Sequence, residues 1–129
     1  MNEELNKNNM KDFTDLKAWQ EAHKLVLTIY LITKDFPKQE VFGLVSQMRR
    51  AAVSVASNLA EGFSRSSYKE KLQFYVISLG SLTELQSQLM ISKDIDYLDK
   101  IKFSKIFAQS IIVHKIINGL IKGSKKYIK

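Results

Sequence analysis

Apolar residues recur every three or four positions along most of this chain, and the spacing predicts four amphipathic helices. The four segments cover about residues 15–36, 43–61, 67–92 and 96–123. Asp15 is predicted as the N-cap of the first helix. That helix should end before Pro37, because a proline disfavours helical geometry at the residue that precedes it.

The remaining helix ends also carry recognisable signals. Gly62 fits the position just after the second helix, where a positive φ is usual. Ser67 and Glu70 have the spacing of a capping box at the start of the third helix. Asp96 or Asp99 can cap the fourth.

The first helix has an unusually wide apolar arc. Its stripe consists of Trp19, Ala22, Val26, Ile29 and Tyr30, and it is widened by Leu16, Leu25, Leu27 and Ile32. A helix with so much apolar surface packs on two sides or lies at a subunit boundary. The second half of helix 2 is rich in Ala and Ser, which favours close approach of a neighbouring helix.

The third and fourth helices each have a narrower apolar stripe, or seam, in which successive residues are three or four positions apart. The seam of helix 3 is Tyr68, Leu72, Tyr75, Leu79, Leu82, Gln86 and Leu89. The seam of helix 4 is Phe103, Ile106, Ser110, Val113, Ile117 and Leu120. The aromatic members are interpreted as core residues, and Trp19 as a core or interface anchor.

Short connections between amphipathic helices favour antiparallel neighbours. We therefore predict an all-α fold, an antiparallel up-down-up-down four-helix bundle over residues 15–123. Residues 1–14 form a flexible N-terminal lead-in and residues 124–129 a basic C-terminal tail in this scheme. The alternative is a three-helix core with helix 1 packed on a partner.

Length and composition narrow the class of protein. A chain of 129 residues forms one domain, and 45% hydrophobic with 26% charged residues is typical of a globular protein. The absence of cysteine excludes disulfides and thiolate metal sites and suits a cytoplasmic location. We expect neither a signal peptide nor a membrane span, since no long apolar run occurs.

The net charge of +7 is concentrated late in the chain, with eight Lys against three Asp after residue 93. The basic residues fall into two candidate clusters. The first is Arg49 and Arg50 with Arg65, Lys69 and Lys71, and the second is Lys122, Lys125, Lys126 and Lys129. Such clusters can attract a polyanion or can be ordinary solvated surface.

Few residues have the spacing of a catalytic or metal site. Neither His23 nor His114 has a second ligand one helical turn away, and the three aspartates after residue 93 are better explained as helix caps than as a cation loop. We expect no metal, no cofactor and no enzymatic activity. Asn58 and Glu61 are interpreted as a hydrogen-bonded pair, with Arg49 or Arg50 as a further partner.

Three segments resemble a known family. They are Asp15–His23, Gly43–Gly62 and Gly80–Leu89, and they include Trp19, Asn58, Glu61 and Gly62 as motif residues. These segments resemble the bacterial four-helix-bundle family encoded by intervening sequences of 23S ribosomal RNA genes. The resemblance implies a bundle, a ring-like homopentamer and no established enzymatic activity. More distantly, the chain is similar to accessory proteins of diversity-generating retroelements, which are basic pentamers that associate with a reverse transcriptase and nucleic acid.

Two functional hypotheses follow. In the first, a homo-oligomer, a pentamer by the resemblance, binds RNA or DNA without base specificity. The candidate contact residues are Arg49, Arg50, Arg65, Lys69, Lys71, Lys122, Lys125 and Lys126. In the second, the protein is an interaction scaffold for another protein, such as a reverse transcriptase or a ribosome-associated factor. No RNA-recognition, KH or helix-turn-helix signature is present in the sequence.

Overall fold

The computed structural model describes residues 10–128 and contains four long α-helices. They are α1 (Lys17–Thr33), α2 (Leu44–Ser64), α3 (Tyr68–Asp94) and α4 (Lys100–Lys126). Two short 3-10 turns, Phe13–Asp15 and Lys38–Glu40, precede α1 and α2. Residues 10–128 include no strand, so the predicted all-α class is confirmed.

The helices pack in a closed cycle. α1 contacts α2 and α4, α3 contacts the same two helices, and the pairs α1/α3 and α2/α4 lie on the diagonals. Helix 1 therefore belongs to the same bundle as the other three. The alternative of a three-helix core is wrong.

The contacts between neighbouring helices show that the two helices of each pair are antiparallel. Late in α1, Thr33 accepts a hydrogen bond from Nε of Arg49, early in α2, at 3.0 Å. The Ser78 hydroxyl of α3 donates to the Val55 carbonyl of α2 at 2.8 Å, and near the far end of the same pair Ser92 contacts Met48. The up-down-up-down order follows for these helices.

The remaining two helix pairs show the same reversal. The Tyr68 ring at the start of α3 stacks on Tyr127, just after α4, with centroids 4.6 Å apart. At mid-length, Nε2 of Gln86 donates to Ser110 Oγ at 3.1 Å. The start of α1 and the end of α4 meet as well, because Ala18 and Ser124 line the same cavity.

All four helices contribute an apolar stripe to the core, as the periodicity predicts. Its largest fully buried apolar side chains are Leu25, Ile29, Met48, Leu59, Leu82, Leu85, Leu89, Ile106 and Ile117. α3 buries a second stripe beside its predicted seam, because it packs on two neighbours. The small residues of α2 allow close contact, and the Ser54 and Ser81 hydroxyls lie 2.8 Å apart between α2 and α3.

Two of the predicted caps are confirmed. The Ser67 hydroxyl accepts from the Glu70 amide at 3.2 Å, and the Asp99 carboxylate accepts from the Lys102 amide at 2.8 Å. The prediction of Asp15 as N-cap of the first helix is wrong. Leu16 occupies that position, while Asp15 lies in the preceding 3-10 turn and accepts from the Lys11 amide at 2.8 Å.

The predicted role of Gly62 is also wrong. α2 continues to Ser64, and Gly62 lies inside it without a positive φ. A Cβ at this position would lie 2.7 Å from Cε1 of Tyr75 and 3.0 Å from Cβ of Phe74. Glycine is therefore required here by the close approach of α3.

Both predicted segment boundaries shift at the ends of the bundle. α4 continues through Gly123 to Lys126, so the first three residues of the predicted tail are helical. At the other terminus, Met10 packs against the core and the Phe13 ring meets Trp19 edge-on at 5.1 Å. The rest of the predicted lead-in, residues 1–9, and Lys129 lie outside the described residues.

Among the helices of residues 10–128, none combines the length and the apolar character that crossing a bilayer demands.

Candidate nucleic-acid interface

Six of the eight predicted contact residues lie at one end of the bundle. We call this the basic end, formed by Arg65, Lys69, Lys71, Lys122, Lys125 and Lys126. It is assembled where α2 connects to α3 and where α4 finishes, and the Tyr68–Tyr127 stack joins these two regions. Residues separated by more than fifty positions in the sequence therefore lie at the same end of the bundle.

Arg65 and Lys71 are held in place by the bundle itself. Arg65 pairs with Glu61 at 2.9 Å and lies over the Phe74 ring at 4.7 Å. The Lys71 ammonium donates to the Phe63 carbonyl at 2.6 Å and to the Gly62 carbonyl at 3.3 Å. Both carbonyls lie in the last turn of α2, where Gly62 also accepts from the Arg65 amide at 3.2 Å, so a cation there complements the helix dipole.

The other four residues of the basic end present their side chains to solvent. Lys69, Lys122, Lys125 and Lys126 are all exposed. Lys125 and Lys126 occupy the last turn of α4, where a positive charge is favourable. The fixed and exposed charges together form a surface suited to phosphate contacts.

Arg49 and Arg50 lie elsewhere, which corrects the predicted first cluster. Arg49 lies sixteen positions before Arg65, which directly follows α2, and this corresponds to about 24 Å at 1.5 Å per residue. Arg49 also donates to the Tyr30 carbonyl at 3.4 Å and lies over the Tyr30 ring at 4.6 Å, so it joins α2 to the end of α1. Arg50 approaches Glu84 at 4.0 Å.

The predicted pairing of Asn58 with Glu61 is wrong. Asn58 Nδ2 donates to the Ser54 carbonyl at 2.8 Å and to its hydroxyl at 3.1 Å, within α2. Glu61 pairs with Arg65 instead. Trp19 is half-buried against the core and stacks on His23 at 4.8 Å, as expected of an anchor.

The described residues contain no group of three or more His, Cys, Asp or Glu side chains that could hold a metal ion. Asp99 caps α4, in agreement with the capping interpretation of this region. Asp96 adopts a φ of 65°, which fits the tight turn between α3 and α4.

Residues 14–119 match the family model of the 23S rRNA-intervening sequence protein. The chain belongs to this family. The family match stops before Lys122, so three of the six residues of the basic end lie beyond the matched range. None of the curated proteins compared with this member of the intervening-sequence family matches it.

A solved structure shares the fold of this intervening-sequence family member. It is the crystal structure of a protein of unknown function from the S23 ribosomal protein family of Bacteroides thetaiotaomicron VPI-5482. The two chains are 19% identical and superpose with a TM-score of 0.75 over 81% of this chain and 95% of that one. The likeness establishes the four-helix architecture at low sequence identity.

The sequence did not predict a cavity of about 640 Å³ beside the basic end. Its walls come from the start of α1, the connection between α2 and α3, and the last turns of α4. Tyr75 and Ser124 line it, and both are buried. The only sequence signal is the pair Gly119 and Gly123 in a helical segment, where glycine costs about 1 kcal/mol relative to alanine.

The buried Tyr75 phenol should make folding pH-dependent in alkali. Burial raises the pKa of Tyr75 to about 12, above the ordinary value of 10.0. The folded state therefore retains this proton after the unfolded chain has lost it, and stability falls between pH 10 and about 12. The hydrogen bond to Glu40 also raises the pKa of Tyr97, so tyrosinate absorbance should show late titration from both phenols, and the part that Tyr75 contributes should disappear in Tyr75→Phe. A titration curve identical for the two proteins would contradict this assignment.

Proposed function

We propose that this chain is a non-enzymatic, homo-oligomeric four-helix bundle that binds RNA or DNA through its basic end, without base specificity. The observation that carries the proposal is the junction at Tyr68 and Tyr127, which places Arg65, Lys69 and Lys71 beside the lysines of the last turns of α4. Fold alone does not transmit a function, so the argument rests on this surface.

The chemistry of the basic end favours contacts to phosphates. Lysine and arginine neutralise backbone charge and release condensed counterions, which gives affinity that is independent of sequence and sensitive to salt. No acidic residue follows Asp99, so the charge of α4 is uncompensated along its own length. These phosphate contacts would position the nucleic acid, and the protein would make no sequence-specific contacts to the base edges.

Exposed apolar surface supports the homo-oligomer. Leu27 and Leu31 of α1 are 57% and 64% exposed. On the diagonally opposite helix α3, Val76, Ile77 and Met90 are exposed, and Glu84 is the only charged residue between positions 72 and 92. Surfaces depleted of charge are typical of the centres of interfaces. A pentamer, which the resemblance implies, would repeat the basic end five times around one axis.

Oligomerisation and nucleic-acid binding should be measured on the same sample. Light scattering is expected to give five subunits of 14.8 kDa each. Binding to structured RNA and to duplex and single-stranded DNA should weaken steeply as salt rises, because phosphate contacts dominate. A single-subunit mass would contradict the oligomer, and salt-insensitive or absent binding at low ionic strength would contradict the nucleic-acid function.

A protein-interaction scaffold is the second candidate function, and one residue favours it. Phe42 is 97% exposed in the connection before α2, at the opposite end from the basic surface. Aromatic side chains are enriched where proteins bind one another. A purified reverse transcriptase or ribosome-associated factor that remains bound after nuclease treatment, and is released by Phe42→Ser, would support the scaffold. Retention of nucleic acid alone would count against it.

A further inference from the structure

The cavity beside the basic end has the dimensions of a small-molecule site. Its volume of about 640 Å³ lies within the range of roughly 300–1,000 Å³ that is usual for ligand pockets. Most of the wall is apolar, with Leu16, Ala18, Phe63, Ile116 and Leu120 among the lining residues. Such a wall favours the apolar body of a ligand.

Two hydroxyl groups in the wall make no hydrogen bond within residues 10–128. Tyr75 is 3% exposed and Ser124 is 4% exposed, and both line the cavity. Neither side chain makes a hydrogen bond to any residue in the part of the chain that the structure describes. Neither oxygen is among the buried polar atoms without a partner in residues 10–128, so both hydroxyls are accessible from the cavity. Both can therefore donate to a ligand that accepts hydrogen bonds.

The cavity is open on the side of α4 because two of the lining residues there are glycines, which have no side chain. A Cβ at Gly119 or Gly123 would meet no atom within 4 Å. Packing inside the bundle therefore does not require glycine at either position, unlike Gly62. A side chain at these positions would take up space that a ligand could use.

The charges around the cavity favour an anion. Lys17 and Lys71 line it, and no Asp or Glu is among the lining residues that the structure describes. Lys71 is anchored on the carbonyls at the end of α2, and Lys17 approaches Glu21 at 3.9 Å. Both side chains therefore bring positive charge to the cavity wall.

We propose that this cavity binds a small amphipathic carboxylic acid, with its apolar body against the wall and its carboxylate accepting hydrogen bonds from Tyr75 and Ser124. Hydroxyl donors and a cationic rim suit a carboxylate, while the apolar wall excludes a purely polar ion. This inference is independent of nucleic-acid binding.

The test is calorimetric titration of the full-length protein with decanoate below its micelle concentration. Gly123→Leu should abolish binding, because the new side chain fills the cavity while raising helix propensity. The matched control is Gly80→Leu, since a Cβ at Gly80 also meets nothing within 4 Å but Gly80 does not line the cavity. The control should bind decanoate as the unaltered protein does.

A second pair of variants tests the hydroxyl groups without filling the cavity. Tyr75→Phe combined with Ser124→Ala should weaken decanoate binding about tenfold or more, as expected for lost hydrogen bonds to a charged group. Decyltrimethylammonium, which has the same apolar chain and the opposite charge, should bind far more weakly. Thermal unfolding of every variant establishes that it is folded.

Several outcomes would overturn the proposal. Absence of decanoate binding to the unaltered protein would exclude the ligand class, as would equal binding of the cationic analogue. Undiminished binding to Gly123→Leu, or equal loss in Gly80→Leu, would place any binding outside the cavity. Undiminished binding to the variant lacking both hydroxyls would remove their assigned role.

Discussion

Binding of RNA or DNA should weaken about a hundredfold near 0.1 M salt when Lys122→Gln, Lys125→Gln and Lys126→Gln are combined. Each lysine that contacts a phosphate contributes about one unit to the magnitude of the slope of log affinity against log salt, so this magnitude should fall by about three for each subunit whose basic end contacts the nucleic acid. The three side chains are exposed, and their removal leaves the core intact. Electrophoretic mobility shifts over a salt series provide the measurement.

The control for this variant lies on the same helix. Lys100, Lys102 and Lys105 are also exposed, but they occupy the start of α4, at the opposite end of the bundle. Replacing all three by glutamine changes the net charge by the same amount and should leave binding largely unchanged. Equal weakening by both triple variants would show that total charge, and not the basic end, determines affinity.

The second large effect concerns the α2–α3 contact. Gly62→Ala should lower the free energy of unfolding by about 1–2 kcal/mol. Alanine has the higher helix propensity, but the destabilisation from overpacking is larger than this gain. The new Cβ would meet Cε1 and Cδ1 of Tyr75 at 2.7 and 2.9 Å and Cβ of Phe74 at 3.0 Å. Tyr75 is buried and cannot move aside freely.

The same substitution at Gly80 should have the opposite effect on stability. Gly80 lies in the interior of α3, on its exposed side, where an added Cβ meets nothing within 4 Å. Gly80→Ala should therefore raise the free energy of unfolding by about 0.5–1 kcal/mol through helix propensity alone. Chemical denaturation of both variants measures the difference. Stabilisation by Gly62→Ala would contradict the close approach described for α2 and α3.

Local signals predicted much of the fold. The periodicity located all four helices, and Ser67 and Asp99 cap α3 and α4 as their positions suggested. The end of α2 was misplaced because Gly62 has two possible explanations, a positive φ or a close contact, and the sequence favours the first. Only the position of Tyr75 across the interface distinguishes them.

For the candidate site too, the sequence predicted the local features, and the tertiary structure decided which residues come together. The sequence by itself determined the helical periods, the caps and the excess of lysine in the last helix, because these depend on residues within one or two turns of one another. It grouped Arg49 with Arg65 by nearness along the chain, although α2 holds them at different ends of the bundle. Only the tertiary structure decided that Lys71 and Lys122 share one surface and that Tyr75 and Ser124 share a cavity. The physical reason is that antiparallel packing brings together helix ends that lie far apart in sequence.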